Sequence, residues 1–178
     1  MTIVGKLWKN LAKEKTVEFN KKIILSIFLI FACFLIDRIF KIYILNFFIQ
    51  NDFQEIYINS FLNFIMIWNK GIAFGMLESD DLLYSIISII IFIVIVFICY
   101  LIFKADKKIE IICYSVIVGG AIGNFADRIY YKAVPDFIDL HYKDFHWFTF
   151  NIADIFITIG VLLLLIFDMI KFKSEDNA

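Results

Sequence analysis

The sequence predicts a membrane protein, mainly α-helical. It should have four transmembrane helices, a small β-rich region in the loop on the outer side, and an N-terminal interfacial helix. Three observations predict this. Hydrophobic residues make up 62% of the 178 residues, with a mean hydropathy of +0.84, whereas a soluble domain is about half apolar. A chain this short cannot hide that much apolar surface in its own core, so lipid must cover the rest. Leu82 to Phe103 is a run of 22 residues without a charge. At about 1.5 Å per residue it crosses a hydrocarbon core of about 30 Å. The lysines and arginines, finally, gather on alternate sides of the apolar runs.

The elements follow in order. Ile3, Val4, Leu7, Trp8, Leu11 and Ala12 recur at helical spacing with lysines on the opposite face. That pattern fits a helix lying in the membrane interface; a disordered basic tail is the alternative. Span one covers about 23–45 and is interrupted by Asp37-Arg38. No cleavage site of small residues follows its apolar core, so it is expected to stay as an anchor. The loop 46–81 is too long for a simple turn. Within it, Gln54–Ser60 and Phe64–Trp68 are rich in Ile, Phe and Tyr and partly alternate, which predicts two short strands of a small sheet on the membrane. Span two covers 82–103, span three 111–128 and span four 152–171. The last two are long enough only if their polar ends sit in the interface or inside the bundle. The expected organisation is one membrane-embedded domain, 1–178, without repeats.

Other classes find little support. Nucleic acid is an unlikely partner for a chain without a basic patch interleaved with exposed aromatics. Cys33, Cys99 and Cys113 all lie in apolar runs and read as small buried hydrophobes. They lack metal-ligand spacing, and His141 and His146 lack a second ligand pair, so no metal is expected.

Orientation follows from the cations. Eleven Lys residues lie in the N-terminal tail, the loop between spans two and three, and the tail after span four; the two opposite loops hold only Lys70, Arg128, Lys132 and Lys143. Cytoplasmic segments carry the excess, so both termini are expected in the cytoplasm. This topology brings the unusual polar residues to one depth, near the outer surface. They are Asp37 and Lys41 in span one, Asn69 to Gly75 before span two, Asn124, Asp127 and Arg128 at the end of span three, and Asn151 and Asp154 at the start of span four.

Asp136 and Asp154 are 18 positions apart. Each lies beside a membrane-length apolar stretch, where a carboxylate is costly and therefore functional by default. Two carboxylates returned to one boundary suggest an acid/base pair sharing a proton. Asp37 and Lys41, one turn apart, can form an ion pair or orient a substrate backbone. The glycines of Asn69-Lys-Gly-Ile-Ala-Phe-Gly75, Gly71 first, permit close backbone approach; a plain turn is the alternative. Gly119, Gly120 and Gly123 predict close helix packing. Asp127 and Arg128 can pair locally, or Arg128 can brace the other carboxylates. Pro135, the only proline, stiffens the approach to Asp136. Asp139 reads as a solvated loop carboxylate.

Taken in order, Asp37-Arg-Ile-Phe-Lys41, Asn69-Lys-Gly-Ile-Ala-Phe-Gly75, Gly119-Gly-Ala-Ile-Gly-Asn-Phe-Ala-Asp-Arg128, Val134-Pro-Asp-Phe137 and Phe150-Asn-Ile-Ala-Asp154 resemble the lipoprotein signal peptidase (signal peptidase II) family. The resemblance implies a four-span enzyme of the bacterial cytoplasmic membrane. Such an enzyme is an aspartic endopeptidase that removes the signal peptide of prolipoproteins, cutting before a cysteine that carries diacylglycerol. It implies Asp136 and Asp154 as the catalytic pair. The family's supporting polar positions match Asp37, Asn69, Asn124, Asp127, Arg128 and Asn151, and Lys41 and Gly71 are further candidates for support or substrate binding. It implies lipidated prolipoproteins and membrane lipids as partners, a monomer, and no cofactor. The chain departs from the family pattern at Pro135, where a second valine is usual, and at Arg38 and Phe40, where glutamine and a small hydroxyl residue are common. Those at Arg38 and Phe40 are expected to alter packing. A proton-coupled transporter would place its carboxylates near the midplane within an inverted repeat. A binding factor would not need the aspartates.

Overall fold

In a computed structural model, residues 3–71, 81–143 and 145–175 are described, with side chains from residue 16 onward apart from 81, 83 and 173–175. The helices are α1 (Ile3–Gln50), α2 (Asp81–Lys104), α3 (Lys108–Tyr131) and α4 (Ile152–Glu175). The strands are β1 (Ile56–Asn59), β2 (Leu62–Asn69), β3 (Val134–Tyr142) and β4 (Phe145–Phe150). They form one antiparallel sheet in the order β1-β2-β3-β4. Four helical segments are long and apolar enough to cross a membrane: Thr16–Gln50, Tyr84–Lys104, Lys108–Tyr131 and Ile152–Phe172. Their outward faces are apolar, with Phe28 and Phe31 on α1, Ile89, Ile93 and Phe97 on α2, and Leu162 and Ile166 on α4 all exposed. A helix surrounded by hydrocarbon needs only this, because its backbone bonds are satisfied internally.

The structure departs from the sequence-based expectations at several points. Asp37 and Arg38 do not interrupt the first span; α1 runs through them and on to Gln50. It also continues back to Ile3 without a break, so the N-terminal segment is helical; its amphipathic side chains fall outside the described residues. Both expected strands are present, as β1 and β2. The structure adds two further strands. β3 carries Asp136 and Asp139, and β4 pairs with it.

α3 is the hub. Its glycines do what their spacing predicts. A Cβ on Gly119 would lie 2.6 Å from the Cβ of Cys33 on α1, and one on Gly120 would lie 2.6 Å from the carbonyl of Ala153 on α4. A Cβ on Gly123 would lie 2.5 Å from Asp37 Oδ2. Gly160 of α4 returns the contact, meeting Ile117 of α3. Gly123→Ala should therefore push a buried carboxylate off its partners. The expected loss is about 1–3 kcal/mol, seen as a lower thermal midpoint in detergent; an unchanged midpoint would mean the helices can separate freely here.

Two apolar clusters fix the frame. Ile95, Ile102, Ala105, Ile111 and Val118 join α2 to α3. Ile44 and Phe48 of α1 join Phe137 of β3, seating the sheet on one end of the bundle. At the other end, Lys22 Nζ donates to the carbonyls of Phe103 (2.9 Å) and Ala105 (2.5 Å), tying α1 to the α2–α3 loop.

Candidate active site

α4 begins immediately after β4, and Asn151 is its cap. Asn151 Oδ1 accepts the N–H of Asp154 (3.2 Å), and Asp154 Oδ2 accepts the N–H of Asn151 (3.1 Å). This reciprocal pair is a capping box built from Asn and Asp. The N–H of Ala153, another helix-end donor without an intrahelical partner, donates to Asp37 Oδ1 of α1 (3.0 Å).

Asp136 reaches the same place from the sheet. β4 pairs with β3 only from Ile138 onward, so Pro135 and Asp136 have β2 alone beside them. A proline, which lacks an N–H, is tolerated where a strand has a free side. β2 carries one extra residue between Phe64 and Ile67 opposite Asp136–Ile138. A bulge of this kind re-aims side chains.

The two aspartates are bridged by Asn151, and every oxygen of the pair accepts from an N–H. Asn151 Nδ2 donates to Asp136 Oδ1 (2.6 Å) and Asn69 Nδ2 to Asp136 Oδ2 (2.9 Å). Asn124 Nδ2 donates to Asp154 Oδ1 (2.7 Å), and the Asn151 backbone serves Asp154 Oδ2. None of the three amides is free to flip. Each turns its oxygen to a group that can only donate: Asn69 to the N–H of Gly71 (3.0 Å), Asn151 to the N–H of Asp154, and Asn124 to Lys41 Nζ (2.8 Å). An ammonium has three donors and no acceptor. Lys41 uses its remaining two on Asp127 Oδ2 (2.7 Å) and Asp37 Oδ1 (3.0 Å).

The ion pair expected between Asp37 and Lys41 is thus present, inside a larger cluster. Asp127 does not pair with its neighbour Arg128. It pairs with Lys41 and with Arg38, whose Nη1 and Nη2 lie 2.5 and 2.7 Å from its two oxygens. Arg38 Nη2 also reaches Asp37 Oδ2 (2.7 Å) and the Gly123 carbonyl (3.1 Å). Arg38 is therefore an ionic partner and not merely a packing change. The signal in the sequence is a second charge within an apolar span, which needs a partner. Arg128 Nη1 donates to the Asn124 carbonyl (3.3 Å) and its Nη2 to the Gly71 carbonyl (3.4 Å). Its charge acts on Asp127, Asp136 and Asp154. Gly75 lies outside the described residues.

Asp139 is corrected as well. It is not a solvated loop carboxylate but a fully buried β3 residue, with His146 Nδ1 2.7 Å from its Oδ2 and the Thr149 hydroxyl donating to its Oδ1 (3.4 Å). Among the described residues, no three of His, Cys, Asp and Glu converge as metal ligands.

Asp136 is 4% exposed. Burial, and after it the negative Asp154, push its carboxyl up to about 6. A raised acid keeps its proton as pH climbs past the ordinary carboxylate range and loses it near 6. Any chemistry that needs one proton on this pair should fail on the basic side. kcat/KM, which reports the free enzyme, should fall with a midpoint of about 6. A profile flat from pH 5 to 8 would show that the pair's proton is not used.

The family model for signal peptidase (SPase) II matches residues 29–171. The chain belongs to the signal peptidase II family. Two signal peptidase II relatives are similar over nearly their whole length. The lipoprotein signal peptidase of Pelagibacter ubique (strain HTCC1062) is 47% identical over 158 residues, covering 88% of this chain and 95% of the relative. That of Anaplasma phagocytophilum (strain HZ) is 37% identical, covering 89% and 99%. A solved structure described as a bacterial membrane enzyme, determined in meso at 2.3 Å, superimposes with a TM-score of 0.64 at 31% identity, covering 85% of this chain and 90% of that one. The chain is therefore a multi-pass bacterial membrane peptidase of the family that cleaves signal peptides from prolipoproteins.

Proposed function

We propose that this peptidase is an aspartic endopeptidase that cuts diacylglyceryl-modified prolipoproteins just before the lipid-bearing cysteine, with Asp136 and Asp154 as its catalytic pair. The observation that carries this is the bridged pair itself: two carboxylates joined through Asn151, each oxygen held by an N–H donor. Two close carboxylates share a proton because both cannot ionise cheaply. The pair titrates as a unit, so the proton belongs to both. The ionised carboxylate takes a proton from water as the water oxygen bonds to the scissile carbonyl carbon. The protonated carboxyl gives its proton to the carbonyl oxygen. As the tetrahedral intermediate collapses and the C–N bond breaks, the carboxyl that took the water proton gives it to the departing cysteine amine, and the other carboxylate takes back the hydroxyl proton, which restores the one-proton pair. No cofactor enters.

Asn69, Asn124 and Asn151 orient the pair, and Lys41, itself held by Asp37 and Asp127, fixes Asn124. Arg128 and Gly71 form the wall next to them, where a substrate backbone can dock. The chain is one domain, and the Lys/Arg asymmetry supports both termini in the cytoplasm and the site near the outer face. Acyl chains of the substrate lie along the apolar spans of a monomer.

The test uses the purified chain in detergent with a diacylglyceryl-modified prolipoprotein and its unlipidated form, following size on a gel. Wild type should cut only the lipidated form, before the modified cysteine, and Asp136→Asn and Asp154→Asn should not cut. Cleavage by both variants would reject the pair. Equal cutting of the unlipidated form would reject the lipid requirement.

A further inference from the structure

We propose that Arg38 is a positioning residue for the aspartate pair, acting through Lys41 and Asn124. The inference rests on the catalytic role proposed for Asp136 and Asp154. Three of the groups it joins are almost completely withdrawn from solvent: Asp37 and Asp127 are 0% exposed and Lys41 is 1% exposed. With Lys41 as the only cation, this cluster would carry one uncompensated negative charge in a medium where that is costly. Arg38 makes it neutral. Its fork takes both oxygens of Asp127 and the far oxygen of Asp37. Lys41 takes the other oxygen of Asp37 and shares Asp127 Oδ2 with the guanidinium. The arrangement is held at a cost, since Arg38 Nε is buried without a hydrogen-bond partner.

The third donor of Lys41 is what reaches the aspartate pair. Lys41 Nζ fixes the oxygen of Asn124, so that the amide nitrogen must face Asp154 Oδ1. Without the guanidinium, both carboxylates compete for the ammonium. Lys41 is drawn toward them, and Asn124 loses the contact that sets its orientation. A flipped Asn124 would present an oxygen to an aspartate oxygen. Electrostatics reinforces the geometry, because removing a cation leaves the remaining acids holding protons to higher pH. The charged and titratable groups around Arg38 and Lys41 are Asp37 on α1, Asp127 and Arg128 on α3, Asp154 on α4 and Asp136 on β3.

The experiment compares Arg38→Gln and Arg38→Lys with wild type, as full chains in detergent. Two quantities are read: pH profiles of cleavage of a diacylglyceryl-modified prolipoprotein, and the infrared carbonyl band of protonated carboxyl groups titrated with pH. Each infrared titration is taken as the difference from the same protein carrying Asp154→Asn. Arg38→Gln should lower kcat about tenfold or more at unchanged KM, as misplacement of a reacting group does, and move the basic limb of kcat/KM to higher pH. Its infrared midpoint should move by about half a pH unit. Arg38→Lys, which keeps the charge, should restore the limb and the midpoint. Wild-type kcat and an unmoved limb in Arg38→Gln would overturn the inference even if its thermal midpoint falls, because a merely structural role lowers stability and leaves the profile alone. If wild type fails to cut but the infrared midpoint still shifts in Arg38→Gln, the proposed reaction is wrong and the coupling stands. If the midpoint does not shift, the coupling is overturned as well.

Discussion

Asp136→Asn, Asp154→Asn and the double variant will each lower kcat/KM by about a thousandfold or more, and the double variant will be hardly worse than the single ones. Groups that act as one unit are strongly non-additive. The loss goes beyond a missing base. At Asp136 both oxygens accept from amide nitrogens that cannot turn round, since Gly71 and the Asp154 backbone hold their oxygens. An asparagine there sets NH2 against NH2, so one of the two bonds breaks. At Asp154 the carboxylate is also half of the capping box of α4, and its amide would face Asn124 Nδ2 or the Asn151 N–H. The measurement is kcat/KM on lipidated prolipoprotein beside circular dichroism and thermal midpoints. Losses that multiply in the double variant would mean two independent roles, which a shared-proton pair does not allow.

Lys41→Met will unfold the protein about 10 °C earlier. Among the described residues, the ammonium is the only group that touches Asp37, Asp127 and Asn124 together. Methionine fills the space but leaves Arg38 alone against two fully buried carboxylates. Breaking a buried pair from one side costs about 3–5 kcal/mol, which for a chain of this length corresponds to a shift of that size. Adding Asp127→Asn should recover part of the loss, because it removes the charge left without a partner. If Lys41→Met melts with wild type, the cluster is solvated and the neutrality argument fails.

The spans, the cation asymmetry and the polar motifs were legible because each is a local pattern. An uninterrupted apolar run such as Leu82–Phe103 needs no partner to be recognised, and glycines among apolar residues announce close packing. The sheet was half legible. β1 and β2 lie in segments that partly alternate, whereas β3 does not: Val134 through Phe137 are all buried, Phe137 against Ile44 and Phe48 of α1. Asp139 was misread for the same reason, as a charge in a strand looks solvated until His146 and Thr149 from the next strand are known. Arg38 was undervalued because its partners lie on two helices, with Asp127 89 positions away. What joins Asp136 to Asp154 is a cap: span four is expected to start at 152, where α4 does start, but the reciprocal Asn151–Asp154 bonding is a matter of side-chain orientation that no periodicity records.

α1 can also be viewed as a depth gauge. Lys22 is tied to the α2–α3 loop at one end of the bundle, and Lys41 sits in the charged cluster behind the aspartates at the other. The 19 positions that separate them, at about 1.5 Å each, measure about 28 Å, close to one hydrocarbon thickness of about 30 Å. The rod has no break in which that interval could be adjusted. A thinner bilayer would therefore lift the aspartates clear of the acyl region, and a thicker one would draw them into it, unless the bundle tilts or the lipid deforms. In the proposed reaction, the thickness of the host membrane then helps decide where, along a lipidated peptide, the aspartates meet the bond.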